Sequence, residues 1–140
     1  MKYTITITRE DAPSSDYDVF FATYFSDYSL KKLGRESEYK SWRFVARDHQ
    51  EILGIICGDM MWGVLHIELL MIKPEYRKLG LGRELYENVV DLAKETNCSM
   101  MTVETFDFQA PEDWQNKGFK IDLARPGYQG NTLYYLSKAL

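Results

Sequence analysis

The sequence predicts a mixed α/β sandwich, a central and mostly antiparallel sheet flanked by helices, and three observations carry that reading. Residues 41–73 run as a meander of strand-like segments joined by short polar turns. The apolar run Leu69 to Ile72 passes through Pro74 and a turn with two glycines straight into a helical stripe. Beyond that stripe the pattern switches to strand, short helix, strand and strand. At 140 residues and 16.4 kDa, a single domain spanning 1–140 is expected, long enough to build one core.

Each element has a local justification. Residues 2–8 alternate, Tyr3, Ile5 and Ile7 against Thr4, Thr6 and Thr8, which predicts a half-buried strand. Pro13-Ser14-Ser15-Asp16 offers helix caps. Tyr17, Phe20, Phe21, Tyr24 and Phe25 then recur at helical spacing. That aromatic face either packs onto the sheet or lines part of a pocket. Residues 30–38, charged and containing Gly34, read as helix end and loop. Trp42, Phe44 and Ala46 alternate with Arg43, Val45 and Arg47, and Asp48 to Glu51 makes the next turn. Residues 52–57 form a near-continuous apolar strand, with Gly63 in the turn after it. In the strand 65–72, His66, Glu68, Leu70 and Ile72 are expected on one face by period two. Ser99 to Thr105, Phe119 to Leu123 and Asn131 to Ser137 read as strands, and Pro111 to Asn116 as a short helix.

The stretch Met71-Ile72-Lys73-Pro74-Glu75-Tyr76-Arg77-Lys78-Leu79-Gly80-Leu81-Gly82-Arg83 is where the chemistry concentrates. Pro74 has no N–H and ends the ladder. Leu81, Leu85, Val89, Leu92 and Ala93 then make an apolar stripe, leaving Glu84, Glu87, Asn88, Asp91, Lys94 and Glu95 to water. A helix N-terminus carries unpaired N–H groups and a positive dipole end, so it attracts anions. Gly80 and Gly82 let a phosphate approach the backbone, either residue can take φ > 0, and Arg77, Lys78 and Arg83 add cationic donors. Neither a Gly-Lys-Ser/Thr loop nor a third dinucleotide glycine is present, since Leu85 holds the latter place.

Arg-x-x-Gly-x-Gly after a strand and a proline resembles the acyl-CoA-binding turn of the GNAT N-acetyltransferase superfamily. A second block, Thr105 to Phe119 with Trp114 and Gly118-Phe119, is similar to the family's next motif. The Phe-Gln-Ala-Pro run and the ending Pro126-Gly127 to Leu140 are similar to a small bacterial single-domain subgroup. The resemblance covers roughly residues 40–140; the N-terminal third matches only in layout. It implies a GNAT-like acyl-CoA N-acyltransferase fold and an acetyl-CoA-dependent N-acetyltransferase. It implies cofactor contacts from Leu70, Met71, Ile72, Arg77, Lys78, Leu79, Gly80, Leu81, Gly82, Arg83 and Trp114, with acetyl-CoA as co-substrate and no metal.

An alkyl amine with a pKa near ~10.4 is neutral only about once in a few thousand molecules at pH 7. A base therefore lowers the barrier to attack on the thioester. Glu68 is the first candidate, in an apolar run where burial would raise its pKa; Glu104 and Asp107 are the alternatives. Many family members carry a Tyr where this chain has Trp114, whose indole N–H does not ionise in the useful range. Tyr128, Tyr134 or Tyr135 then supplies the proton to the departing thiolate, Tyr135 being the first candidate, or no dedicated acid exists. His66 reads as structural. Cys57 and Cys98 lack metal-type or redox spacing and read as reduced core thiols.

Net charge of −4 argues against a nucleic-acid partner. No apolar run spans a bilayer and the N-terminus does not read as a signal peptide, so a cytoplasmic protein without a membrane partner is expected. The acceptor, a small-molecule or peptide amine, stays open, as does a non-catalytic acyl-CoA-binding module. A homodimer is also open, with Trp42 and Trp62 as candidates for its face.

Overall fold

The computed structural model describes residues 4–37 and 39–140. One six-stranded sheet runs in the order β1-β2-β3-β4-β6-β5. Its strands are β1 (Lys40–Asp48), β2 (Glu51–Met61), β3 (Val64–Ile72), β4 (Met100–Phe106), β5 (Lys120–Pro126) and β6 (Thr132–Ala139). The helices are α1 (Ser15–Leu33), α2 (Leu81–Glu95) and α3 (Pro111–Asn116). All neighbouring strands are antiparallel except β3 and β4, which are parallel. The expected mixed, mostly antiparallel sheet is therefore present.

The first expected strand is not. Residues 4–8 have no strand partner, and Ile5 and Ile7 are 79% and 96% exposed; residues 1–3 lie outside the described residues. Alternation marks a segment able to pair, but a strand also needs an edge to pair with. Helix α1 starts where its cap was expected, the Ser14 hydroxyl accepting from the Asp16 N–H at 3.3 Å. It ends at Gly34, whose φ of 73° is left-handed and whose N–H reaches the Leu30 carbonyl at 3.0 Å. Its aromatic face does not pack flat on the sheet: Phe20, Phe21 and Tyr24 are exposed, while Tyr17 and Phe25 are half-buried. Phe25 stacks on Tyr39 and meets the edge of Trp62. The Trp62 indole N–H donates to the Ser29 hydroxyl. Trp42 is buried at 6% exposure, which removes it as a dimer-face candidate.

The core lies between α2 and one face of the sheet. Leu85, Tyr86, Val89 and Ala93 are buried on the helix, and Leu81 and Leu92 half-buried, while its Glu, Asp, Asn and Lys positions face water. They meet Ile56, Leu65, Ile67, Met101 and Val103 from the sheet. A fully buried side chain of this size stabilises the fold by about 1.5–3 kcal/mol.

A β-bulge in β3 reverses the facing of the second half of that strand. The β2–β3 register runs Leu69 with Cys57 and then Ile67 with Gly58, so Glu68 is passed over. Leu65 and Ile67 are fully buried before it. After it, Leu70 and Ile72 pack against the same core. One extra residue shifts the side-chain phase by one, so His66, Glu68, Leu70 and Ile72 do not share a face as strict alternation predicts. The parallel β3–β4 ladder ends at the same level, with Ile67 opposite Val103. β4 continues beside β6 as far as Phe106, so β3 and β4 part beyond the bulge.

Tyr86 gives a pH handle on this core. Burial pushes its phenol above the ordinary tyrosine value, because the phenolate is poorly solvated there. The folded-state pKa is thus above the unfolded one, so the associated stability is present below about pH 10 and lost as pH rises further. The urea midpoint of wild type should fall more steeply between pH 8 and pH 11 than that of Tyr86→Phe. Parallel declines would remove Tyr86 as the titrating group.

Candidate active site

The parting of β3 and β4 leaves a cleft of about 630 Å³, within the usual range for small-molecule sites. One wall is β3 from Ile67 to Ile72, including the predicted Leu70, Met71 and Ile72. From the bulge onward, the edge of this strand facing β4 has no ladder partner. Met71 is 54% exposed. The opposite wall comes from β4, the Asp107–Gln109 turn and α3, through Val103, Glu104, Thr105, Gln109, Ala110 and Trp114.

The mouth is the glycine turn. Pro74–Tyr76 forms a short 3₁₀ turn, and Lys73, held by its ion pair with Glu51, donates its backbone N–H to the Leu53 carbonyl at 2.8 Å. Lys78 at φ 62° and Gly80 at φ 86° bring the chain round into α2. The two glycines do different jobs. Gly80 supplies the left-handed N-cap, a conformation that costs other residues about 1–2 kcal/mol. Gly82 keeps its surface open: a Cβ there would meet only the Ile72 side chain, at 3.8 Å. A Cβ on Gly80 would meet nothing within 4 Å. A phosphate-sized group thus has free access to the first α2 amides, so the residues present suit a phosphorylated ligand.

The cations around the turn are differently engaged. The Arg77 Nε–H donates to the Ile72 carbonyl at 3.0 Å, which ties the turn to the end of β3. Arg83 pairs with Glu87 at 3.6 Å on the exposed face of α2. Both line the cleft, as do Lys78, Gly80, Leu81 and Gly82, whereas Leu79 is 71% exposed and does not.

Glu68 lines the cleft at the bulge and is exposed, so the burial expected of it is not found. Bulged residues leave the ladder and are re-aimed, which is why an apolar run did not imply a buried carboxylate. Its charge still reaches its neighbours. Cys57, half-buried beside it, has a thiol pushed up by burial and then by Glu68, with Arg43 opposing. Tyr39 is pushed up by burial, then by Asp59, Asp18 and Glu68. Glu104 lines the other wall. Asp107 is spent on structure, its carboxylate accepting the Thr132 N–H at 3.0 Å.

Of the three tyrosines, Tyr134 packs against the core and Tyr128 is 69% exposed. Tyr135 faces Glu104 across the β4–β6 pair, with the Arg125 guanidinium 5.3 Å from its ring centroid. None of them lines the cleft. Trp114 does, and it is also buried, against Tyr86 and Phe119. His66 bonds Thr102 at 2.7 Å, a cross-strand structural contact. Sequence reasoning missed Tyr76, Gln109, Ala110, Asp113 and Lys117 on the walls. The only local signals for them are Gln109, which caps the Phe106 N–H at 2.9 Å, and the Ala-Pro start of α3. Both cysteines are free and half-buried. Among the described residues no cluster of metal ligands is found and no helix is long and apolar enough to cross a membrane.

A mixed sheet parted between two parallel strands, with a glycine-headed helix at the mouth, defines the acyl-CoA N-acyltransferase class. The family model described as Acetyltransferase (GNAT) family matches residues 5–119, and the chain belongs to that family. It is accordingly an N-acetyltransferase with acetyl-CoA as co-substrate. A blasticidin-S acetyltransferase of Streptomyces morookaense is 33% identical over 99 residues, covering 69% of this chain and 73% of its own. An uncharacterised N-acetyltransferase of Methanocaldococcus jannaschii is 34% identical over 73 residues, 51% of this chain and 47% of its own. Among solved structures, an acetyltransferase from Bacillus cereus ATCC 14579 superposes with a TM-score of 0.74 at 21% identity, over 95% of this chain and 98% of that one. A nourseothricin acetyltransferase superposes with a TM-score of 0.64 at 22% identity, over 71% and 65%.

Proposed function

We propose that this chain acetylates a primary amine of a small molecule by direct attack of that amine on the thioester, with Glu68 as the base. The observation that carries this reading is the exposed Glu68 on the bulge, lining the cleft where the β3 edge loses its partner. The name of the Streptomyces relative makes blasticidin S the first acceptor to try.

Acetyl-CoA supplies the thioester carbonyl and a thiolate leaving group. Gly80, Gly82 and the first amides of α2 receive its phosphates, with Lys78 adding charge. Lys73, and with it Met71, turns its main-chain groups to β2. Leu70 and the Ile72 N–H are the main-chain groups left to the arm, the Ile72 carbonyl being held by Arg77; a main-chain N–H there polarises the carbonyl. Leu79, being turned outward, contributes backbone alone. Trp114 forms an apolar wall. Glu68 takes the ammonium proton, so the neutral amine can attack. Tyr135, the acid candidate from the sequence, lies behind Glu104 and outside the cleft, so the thiolate leaves without Tyr135 in contact with it.

Calorimetric titration of acetyl-CoA into wild type and into an Arg77→Glu, Gly82→Asp double variant tests the donor site. Binding should be micromolar-range in wild type and fall at least ~100-fold in the variant, since two negative charges then oppose the phosphates. CoA release in the presence of blasticidin S or simple diamines then tests the acceptor. Unaltered binding in the variant would refute the placement of the donor.

A further inference from the structure

Lys117 is a cation of the cleft that neither the glycine turn nor the base accounts for. It is half-buried at the C-cap of α3 and lines the cleft. Its ammonium lies 5.6 Å from the ring centroids of both Tyr86 and Trp114. Among the described residues it forms no ion pair with a carboxylate, whereas Arg83 pairs with Glu87. Its backbone is pinned: the Lys117 N–H reaches the Trp114 carbonyl at 3.0 Å, and the Lys138 ammonium donates to the Lys117 carbonyl at 2.8 Å. The ammonium sits over two aromatic faces, with the Lys138 ammonium on the same Tyr86 ring, 5.9 Å from its centroid. Asp113 is the carboxylate beside it on the α3 wall; with no carboxylate paired to it among the described residues, its open side is the cleft.

Its position says which end of a ligand it meets. Tyr86 lies four residues beyond Gly82 on α2, just over one helical turn or ~6 Å along the axis. The Lys117 ammonium thus lies over a residue of the second turn of α2 and lines the same cleft as Lys78. We infer that Lys117 is a binding residue for a phosphate of the CoA donor, clamping it from the α3 wall while the glycine turn holds it from the other. This rests on the proposed placement of the donor. The phosphate is either part of the diphosphate or the 3′-phosphate on the ribose, the chemistry being the same.

The test is titration of acetyl-CoA, and of acetyl-CoA lacking the 3′-phosphate, into wild type, Lys117→Met and Lys117→Arg. Met keeps the apolar stem over the rings and removes the charge. Lys117→Met should bind acetyl-CoA ~10-fold or more weakly, as expected for loss of one charge-assisted contact, with Lys117→Arg within about threefold of wild type. If the 3′-phosphate is the partner, the loss disappears with the truncated donor; if the diphosphate is, the loss persists. Should Lys117→Met change the melting temperature, Lys117→Gln carries the same comparison. Binding by a folded Met variant within twofold of wild type overturns the inference and leaves the donor placement standing. No binding by wild type overturns the donor placement, and this inference with it.

Discussion

Replacing Gly58 by alanine is expected to cost about 3 kcal/mol or more and to abolish acetyl-CoA binding with it. A Cβ built on Gly58 falls 1.9 Å from the His66 carbonyl oxygen and 2.9 Å from Trp42. Neither neighbour can yield cheaply: one is backbone of the central sheet and the other a buried indole. Relief requires β2 and β3 to move apart at the register shift between Cys57 and Gly58. That shift sets the phase of Leu70 and Ile72 and leaves Glu68 outside the ladder. Stability and ligand binding should therefore fail together. Urea unfolding and acetyl-CoA titration on the same preparation check this; a variant within about 1 kcal/mol of wild type that still binds would show that the bulge does not depend on Gly58.

The second large effect is on turnover. Glu68→Gln should lower kcat/KM by about 10²- to 10⁴-fold with whichever amine gives CoA release in wild type, the usual range for a lost general base. Acetyl-CoA affinity should change little, because the carboxylate is assigned to the acceptor. Glu104→Gln, on the facing wall, should cost less than about tenfold. As pH rises past 9 the free amine becomes abundant, so the Glu68→Gln deficit should shrink there. A larger deficit in Glu104→Gln would move the base to the β4 wall, and equal, pH-independent losses would remove both from the role.

Much of the donor side was legible because its signals are local. Pro74, Gly80 and Gly82 act through their own φ angles, missing N–H or missing Cβ, and α2 announces itself by a stripe that Leu85, Val89 and Ala93 bury. Ser14 and Gly34 bound α1 for the same kind of reason. The acceptor side was less legible. Glu68 was expected buried because its neighbours are apolar, and period two offered no hint of the bulge that turns it outward. Residues 4–8 have the pattern of a strand without its pairing. Lys117 carries no sequence signal, since its significance comes from Tyr86, 31 positions earlier, folding beneath it.

By itself, then, the sequence determined the elements from Ser14 onward and the glycine turn at the head of α2, since these come from short-range sterics, capping and hydrophobic period, while the family came from the resemblance of two motifs. Only the tertiary structure decided where the cleft opens and which side chains face it. That depends on the register of β2 against β3 and on the level at which β3 and β4 stop pairing. Register is a property of two strands at once: a single passed-over residue reverses every side chain beyond it, and Gly58 marks where the backbones approach without recording which residue of β3 is passed over.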